Sequence, residues 1–432
     1  MEPGPVSGQI MTSAQHEKDL MACVHCGLCL PACPTYLETG SEADSPRGRL
    51  VLMRKLHEGA LSPSDVDVTR HLDLCLGCRA CETACPSGVP YGRILETARE
   101  QINGARVRPR PAALSRWALL ETLTHPAAMT AALRAARITT GGDVPAPAVR
   151  LLSGDPAAAG QRVCLPEMLS PPLPPAITLA VGAKRARVGV LTGCAMKVLF
   201  GDVNLDTVRV LAANGCEVLV NRRQGCCGAL HAHNGSLAEA KSLARGLIDA
   251  FSPFDGLDAI IVNSAGCGSL MKEYGSLLAD DIDYALKAAQ FAAKVRDVSE
   301  WLGELGWVAP LKAPLGAPVT MTYHDACHLA HGQQIREAPR ALLSRLPNVK
   351  WVALVESEVC CGSAGIYNLT EPEMARRLRE RKLENILSTG ATVLATGNPG
   401  CLAWIAAGLK ERGLPEIRVA HPVTLLAEAL DI

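Results

Sequence analysis

Cys23-x2-Cys26-x2-Cys29-x3-Cys33-Pro34 and Cys75-x2-Cys78-x2-Cys81-x3-Cys85-Pro86 are the same pattern written twice, with 41 residues between Cys33 and Cys75. This spacing wraps three thiolates round one face of a 4Fe–4S cubane and turns the fourth away. In a protein with two clusters the fourth Cys completes the other one. On that rule one cluster takes Cys23, Cys26, Cys29 and Cys85, and the other takes Cys75, Cys78, Cys81 and Cys33. Crossed ligation holds two one-electron carriers close together. The competing reading, a pair of structural zinc sites, ordinarily uses two Cys-x2-Cys pairs per site rather than three plus one. Arg47, Arg49 and Arg79 lie beside these cysteines in sequence, where they could tune a potential, dock a partner or simply be solvated.

A second cysteine pattern follows. Cys194, Cys226, Cys227 and Cys267 recur as Cys327, Cys360, Cys361 and Cys401, at offsets of 133 residues (Cys194 to Cys327) and 134 (Cys226 to Cys360, Cys267 to Cys401). Four thiolates suffice for one cluster. Adjacent cysteines cannot pair with each other without a strained peptide, so Cys226-Cys227 and Cys360-Cys361 read as metal ligands or redox thiols. Gly228 and Gly362 let the backbone turn tightly beneath them. A four-Cys cluster in either copy, one shared cluster, or no metal all remain open. His324, His328 and His331 surround Cys327, and His231 and His233 follow Cys227; imidazole can ligate iron or move a proton. Cys164 and Cys216 fall outside both patterns and read as packing or tolerated surface positions.

The elements that must position these residues follow from periodicity. Ser45-Pro46 is a natural N-cap and first helical position between the two N-terminal motifs. From Ala186 onward VGVLTGC, NRRQGCCGAL and IIVNSAGCG recur as VTMTYHDAC, SEVCCGSAG and LATGNPGC, which implies two copies of one domain. In the first copy Val188–Leu191, Glu217–Val220 and Ala259–Val262 read as buried strands. Between them, helical spacing runs through Leu205, Val208 and Leu211 to a stop at Asn214-Gly215, and again through Leu237, Ala240, Ala244, Leu247 and Phe251. Strands alternating with helices predict a parallel α/β sheet whose site lies past the carboxyl ends of the strands. The predicted architecture is thus multidomain α+β: an α-helical, two-cluster domain over 1–107, a Pro/Ala-rich linker over 108–184, and repeated α/β cysteine-rich domains over 185–312 and 313–432. Within the linker, amphipathic helix is expected only around Leu114 to Leu133, broken or kinked at Pro126. The basic run Arg376-Arg377 through Arg381-Lys382 falls on a predicted helix and reads as a solvated face, with docking to an acidic partner as the alternative.

Composition narrows the chemistry. Lys plus Arg equals Asp plus Glu at 43 each, so nothing marks a general nucleic-acid or acidic-membrane binder. No run approaches the length of a membrane span, and the start lacks the apolar core of a secretory signal. A location on the cytoplasmic side follows, with thiols kept reduced. There is no G-x-G-x-x-G after a strand, no P-loop and no H-E-x-x-H. Flavin, nicotinamide and ATP are therefore expected on other chains, and this one reads as a conduit.

The motifs CVHCGLCLPACPTY, DSPRGR, CLGCRACETACPSGV, GCCGALHAHNG, NSAGCGSLMKEYG, CCGSAGIYNLT and TGNPGC together resemble the iron-sulfur subunits of glycolate oxidase (glycolate dehydrogenase), over about residues 20 to 430. The N-terminal part is similar to the helical ferredoxin-like domain of respiratory iron-sulfur subunits, and the repeats to the CCG domain of heterodisulfide reductases. That domain carries a fifth Cys in a terminal Cys-x2-Cys, where this chain has Leu270 and Trp404. The resemblance implies two 4Fe–4S clusters, two FAD-type flavoprotein partner subunits that oxidise glycolate to glyoxylate, and electron flow to membrane quinone. It also implies a peripheral position on the inner face of the cytoplasmic membrane. Electron-transfer subunits of glycerol 3-phosphate or lactate dehydrogenases are alternatives within this class. Heterodisulfide-reductase-like thiol chemistry and a structural or redox-sensing metal protein are alternatives outside it.

Overall fold

A computed structural model of the chain describes residues 13–105, 110–141, 173–254, 256–312 and 318–431. The Pro/Ala-rich segments PAPAVR and SGDPAAAG, and Cys164, lie outside them. Contacts divide the chain into two compact units, Met1–Val107 with His233–Leu237, and Arg108–Ala232 with Ala238–Ile432.

The first unit is helical. Its principal helices are Ser13–Met21, Pro46–His57, Val66–Asp73 and Tyr91–Ala105, with the short helices Pro34–Thr39 and Ala80–Thr83 beside the cysteines. Ser45 caps Pro46–His57 by accepting from the Gly48 amide at 3.0 Å, with Pro46 in the first turn. Gly48 is dictated by space, because a Cβ there would stand 1.9 Å from the Glu42 carbonyl oxygen. Leu50, Met53, Leu72, Ile94, Leu95 and Ile102 form the core under the motif loops. Each such aliphatic side chain contributes about 1.5–3 kcal/mol on burial.

The second unit opens with helices Arg110–Thr124 and Pro126–Thr140. The break falls at His125, held extended before Pro126 as the proline requires. Met129 and Leu133 pack on Val198 and Leu199. Two sheets follow. The first contains β1 (Ile177–Thr178), β2 (Ala186–Leu191), β3 (Cys216–Leu219), β4 (Ala259–Val262) and β5 (Val295–Asp297), in the order β1-β3-β2-β4-β5. All its pairs are parallel except β1 with β3. The second contains β6 (Val319–Tyr323), β7 (Val349–Trp351), β8 (Val393–Ala395) and β9 (Arg418–Ala420), in the order β7-β6-β8-β9, all parallel. The central strands β2 and β4 are apolar runs because helices cover both faces. One core joins the sheets through Val188, Val218, Ile261, Met321, Val393 and Leu426. Cys216 is fully buried in it, a packing position.

The helix Pro372–Ser388 departs from expectation. Its basic run is only partly a solvated face: Arg377 is exposed, but Arg379 and Lys382 are buried and Arg381 pairs with Glu356. Arg379 is paired with Glu411 and stacked 4.3 Å from the Trp404 ring, so it fastens this helix to Pro399–Glu411. No helix among the described residues is long and apolar enough to cross a membrane.

Candidate functional site

In the first unit each motif loop begins just after a helix, Cys23 after Ser13–Met21 and Cys75 after Val66–Asp73. The two loops share one backbone path. Left-handed φ angles occur at His25 (56°) and Gly27 (84°) in the first, and at Gly77 (64°) and Arg79 (66°) in the second. These are the same two positions of the motif. His25 and Arg79 pay roughly 1–2 kcal/mol each for a conformation that glycine adopts freely. The turn they make keeps successive cysteines on one side of the loop.

The loops bound two cavities. The first is lined by Cys23, Cys26, Cys29 and Cys85. The second is lined by Cys33, Cys75 and Cys78. Cys81 borders both. The first cavity therefore draws three cysteines from the first motif and two from the second, and the second cavity draws three from the second motif and one from the first. No described cysteine forms a disulfide.

The surroundings suit an anionic iron-sulfur group. Arg49 is 1% exposed. Its Nε donates to the His71 carbonyl (2.7 Å), and its Nη1 to Thr35 Oγ1 (2.9 Å) and Cys33 Sγ (3.9 Å). Its Nη2 has no hydrogen-bond partner, and Asp44 Oδ1 is 3.7 Å away. Burial opposes that charge, but Cys75, Tyr91, Cys33 and Asp44 outweigh it and raise the guanidinium's basicity. Conversely, burial alone would push the Cys75 thiol up, yet Arg49, Arg99 and the Gly77 amide bring it below the usual thiol range. Gly77 N (3.5 Å) and Tyr91 Oη (3.7 Å) both donate to Cys75 Sγ. Cys81, buried among Cys78, Cys75, Glu82 and Cys33, is pushed well up, so a metal must displace its proton. Arg47 and Arg79 are instead occupied by Glu42 and Glu82, at 2.7 and 2.9 Å.

In the second unit the repeated cysteines collect past strand ends, Cys194 after β2, Cys226 and Cys227 after β3, and Cys267 on the helix Ala265–Lys272 after β4. In the second repeat Cys327 follows β6, Cys360 and Cys361 follow β7, and Cys401 lies on Pro399–Glu411 after β8. Gly228 (φ 86°) and Gly362 (φ 89°) have no room for a side chain: a Cβ at Gly362 would stand 2.4 Å from the Ala375 carbonyl oxygen. Cys194 and Cys226 sulfurs are 3.6 Å apart, as are Cys361 and Cys401. Contacts from Cys194 and Cys227 pull Cys226 well below the thiol range. In the second repeat Cys360, Cys401 and His324 do the same to Cys361.

The histidines separate by role. His324 is fully buried, with Nδ1 2.9 Å from the Ser357 carbonyl oxygen and Nε2 without a hydrogen-bond partner. The ligand atoms of His324, Cys361 and Cys401 all lie within 4.8 Å of one another. His331 is held by the Glu358 carbonyl (3.3 Å) and Arg336 (3.3 Å). His231 is buried, 3.9 Å from Glu121, with an electrostatic influence on Cys226. His233 pairs with Glu96 at 2.7 Å. Of the three arginines singled out from the sequence, Arg49 is the buried partner of Cys33, and Lys382 beside Cys360 and Cys361 is the site residue the sequence reading missed.

Comparison with known proteins agrees with this geometry. A 4Fe-4S dicluster domain matches residues 19–89, and a cysteine-rich (CCG) domain matches twice, at 188–272 and 321–406. The probable glycolate oxidase iron-sulfur subunit of Bacillus subtilis (strain 168) is 37% identical, across 96% of this chain and 94% of that one. The glycolate oxidase iron-sulfur subunit of Escherichia coli (strain K12) is 34% identical, across 95% and 94%. Lactate utilization protein A of Oceanobacillus iheyensis is 29% identical over 56% of this chain and 96% of its own. With both motif types in the same order and near-complete coverage, the chain belongs to the glycolate oxidase iron-sulfur subunit family.

Proposed function

We propose that this chain carries electrons singly out of a glycolate dehydrogenase complex. In this reading two FAD-type flavoprotein partners oxidise glycolate to glyoxylate, and the electrons leave through this chain toward membrane quinone. The work is done on the cytoplasmic side, with the complex peripheral to the inner face of the membrane. The observation that carries the reading is the drawing together of the two motifs, three cysteines of one motif at each cavity with Cys85 crossing to the first and Cys33 to the second. Cys23, Cys26, Cys29 and Cys85 are then the ligands of one 4Fe–4S cluster, and Cys75, Cys78, Cys81 and Cys33 those of the other. Each cluster, when bound, supplies a reversible one-electron couple.

The chain's own residues set the conditions for that couple. Arg49 places a buried positive charge beside Cys33, and the Gly77 and Tyr91 donors to Cys75 favour the electron-rich state. Leu50, Val89 and Tyr91 wall the first cavity with apolar surface. Cys26 is exposed, between Val24 (68% exposed) and Leu28 (58%), whereas Cys75 and Cys81 are buried. The first loop is thus the face at which this unit exchanges electrons with a partner.

The test is to isolate the complex from native membranes through a tag on this chain and assay dye reduction with glycolate, lactate and glycerol 3-phosphate. Glycolate activity with co-purified flavoproteins is expected. Activity with lactate alone would favour the second reading, which the likeness to lactate utilization protein A supports. Disulfide reduction by the isolated chain would favour a thiol redox enzyme. Leu270 and Trp404 stand where that chemistry needs a fifth cysteine, and Trp404 is buried under Arg379.

A further inference from the structure

We propose that the second cysteine-rich repeat, and not the first, holds a single tetrahedral metal ion of the zinc class, ligated by His324 Nε2, the Cys361 and Cys401 sulfurs, and one thiolate of the Cys327–Cys360 pair. Three observations carry this.

The first is spacing. Around one tetrahedral ion with bonds of about 2.0–2.3 Å, neighbouring donors stand roughly 3.5–3.8 Å apart. Cys361 and Cys401 are at 3.6 Å, and the His324 ligand atom completes a triad within 4.8 Å, the only such His, Cys and carboxylate triad among the described residues. A four-iron cubane places each thiolate on a different iron and needs them wider apart. The thiols of the first unit and of the first repeat form no comparably tight triad.

The second is the orientation of His324. Its Nδ1 is engaged by the Ser357 carbonyl oxygen at 2.9 Å, which fixes the proton there and leaves Nε2 a lone-pair donor. That nitrogen is fully buried without a partner. A carbonyl orienting the far nitrogen of a metal-bound imidazole is the usual outer arrangement of such sites.

The third is charge. A divalent ion with three thiolates and a neutral imidazole carries a net charge of −1. Lys382 is 2% exposed, donates to the Glu356 and Ser357 carbonyls, and stands within electrostatic reach of Cys361, Cys360 and Cys401. The Glu356 carboxylate is already engaged by Arg381 and Asn385. The buried cation therefore matches the charge of the proposed centre. At the equivalent positions the first copy has Leu191 for His324 and Leu247 for Lys382, so it lacks the imidazole at the strand end and the buried ammonium; its buried His231 follows the cysteine pair instead.

The experiment uses the full chain isolated anaerobically with its iron in place. Zinc and iron are counted per chain, and the zinc edge is examined by X-ray absorption, where iron does not interfere. One zinc per chain is expected, with a mixed sulfur and nitrogen shell, withstanding a chelator that strips adventitious zinc. His324→Ala and Cys401→Ser should each weaken zinc retention at least tenfold, while Cys267→Ser in the first repeat leaves it unchanged. The wild-type spectrum guards against variants that fail to fold, since an all-sulfur shell overturns the proposal without any substitution. It is also overturned by absence of zinc, by zinc loss in Cys267→Ser, or by extra iron that depends on Cys401. The electron-transfer reading rests on iron in the first unit, counted in the same sample, so the two fail separately.

Discussion

Replacing Arg49 with Gln removes the one buried positive charge beside Cys33 while keeping a planar polar group in its place. The guanidinium Nη1 is 3.9 Å from Cys33 Sγ, which puts its charge ~6 Å from the centre of a cluster held there. At an effective dielectric of ~20 that separation is worth ~3 kcal/mol. For a one-electron couple this corresponds to about 120 mV. Reduction adds negative charge, so losing the cation destabilises the reduced form and the potential falls. Spectroelectrochemical titration followed by electron paramagnetic resonance should show one of two clusters lowered by on the order of 100 mV. Arg49→Lys retains the charge, sacrifices the bonds to His71 and Thr35, and should stay within about 30 mV of wild type. Arg47→Gln, at a residue exposed and paired with Glu42, should shift the other cluster by far less. Equal displacement by Gln and Lys at position 49 would mean that hydrogen bonding sets the potential, and a rise would refute the electrostatic argument altogether.

Cys26→Ser and Cys78→Ser should each lower the iron content from about eight to about four per chain, because each removes a ligand from a different cluster. A loss of all iron from either would show that the two sites do not form independently. Gly48→Ala must move the Glu42 carbonyl out of a 1.9 Å clash; a loss of several kcal/mol in the thermal or urea unfolding of the first unit is expected. In the second unit, Asp297 is buried and its carboxyl is pushed up to about 6, while burial pushes His421 down to about 4. The raised Asp297 favours the fold below pH 3.8 and loses that contribution, ~3 kcal/mol, as pH rises through 6. The depressed His421 does the reverse, favouring the fold above pH 6.5 and losing ~3 kcal/mol toward pH 4. Wild-type unfolding midpoints should therefore vary little between pH 4 and 6.5 from this pair. Asp297→Asn, which keeps an N-cap for Val298–Leu305, should be more stable than wild type above pH 6 and lose that stability on acidification. A flat profile in the variant would show that His421 is already protonated in the fold.

Much of the architecture could be read from residue patterns because parallel strands covered on both faces are continuous apolar runs. Ala259–Val262 stands where it is expected, and β2 and β3 differ from expectation by at most two residues at either end. The edge strand Ile177–Thr178 escaped notice, since two residues after a proline-rich stretch carry no period. Buried charge was the main blind spot. Arg49 has no local mark of burial: its partners Thr35, Asp44 and His71 come from three other elements. Lys382 did carry a signal. It lies on the stripe of Ala375, Leu378 and Ile386 that faces the core, and a lysine on an apolar stripe calls for a negative partner nearby. Reading the run by charge alone hid that position.

The two repeats share a scaffold but differ in what surrounds their thiols, and that difference bears on how duplication is used. Gly228 and Gly362 are equally constrained, and the cysteines leave corresponding strand ends, so the backbone demands have been kept in both copies. The polar shell has not. Two leucines, Leu191 and Leu247, occupy in the first copy the places of His324 and Lys382 in the second. Burying an uncompensated thiolate costs several kcal/mol, so the charged neighbours of each set decide how much negative charge it can hold. A shell with an oriented imidazole and an ammonium stabilises the charge that metal binding leaves behind. The same fold thus surrounds one set of thiols with an oriented imidazole and a buried ammonium, and leaves the other without either at the same positions.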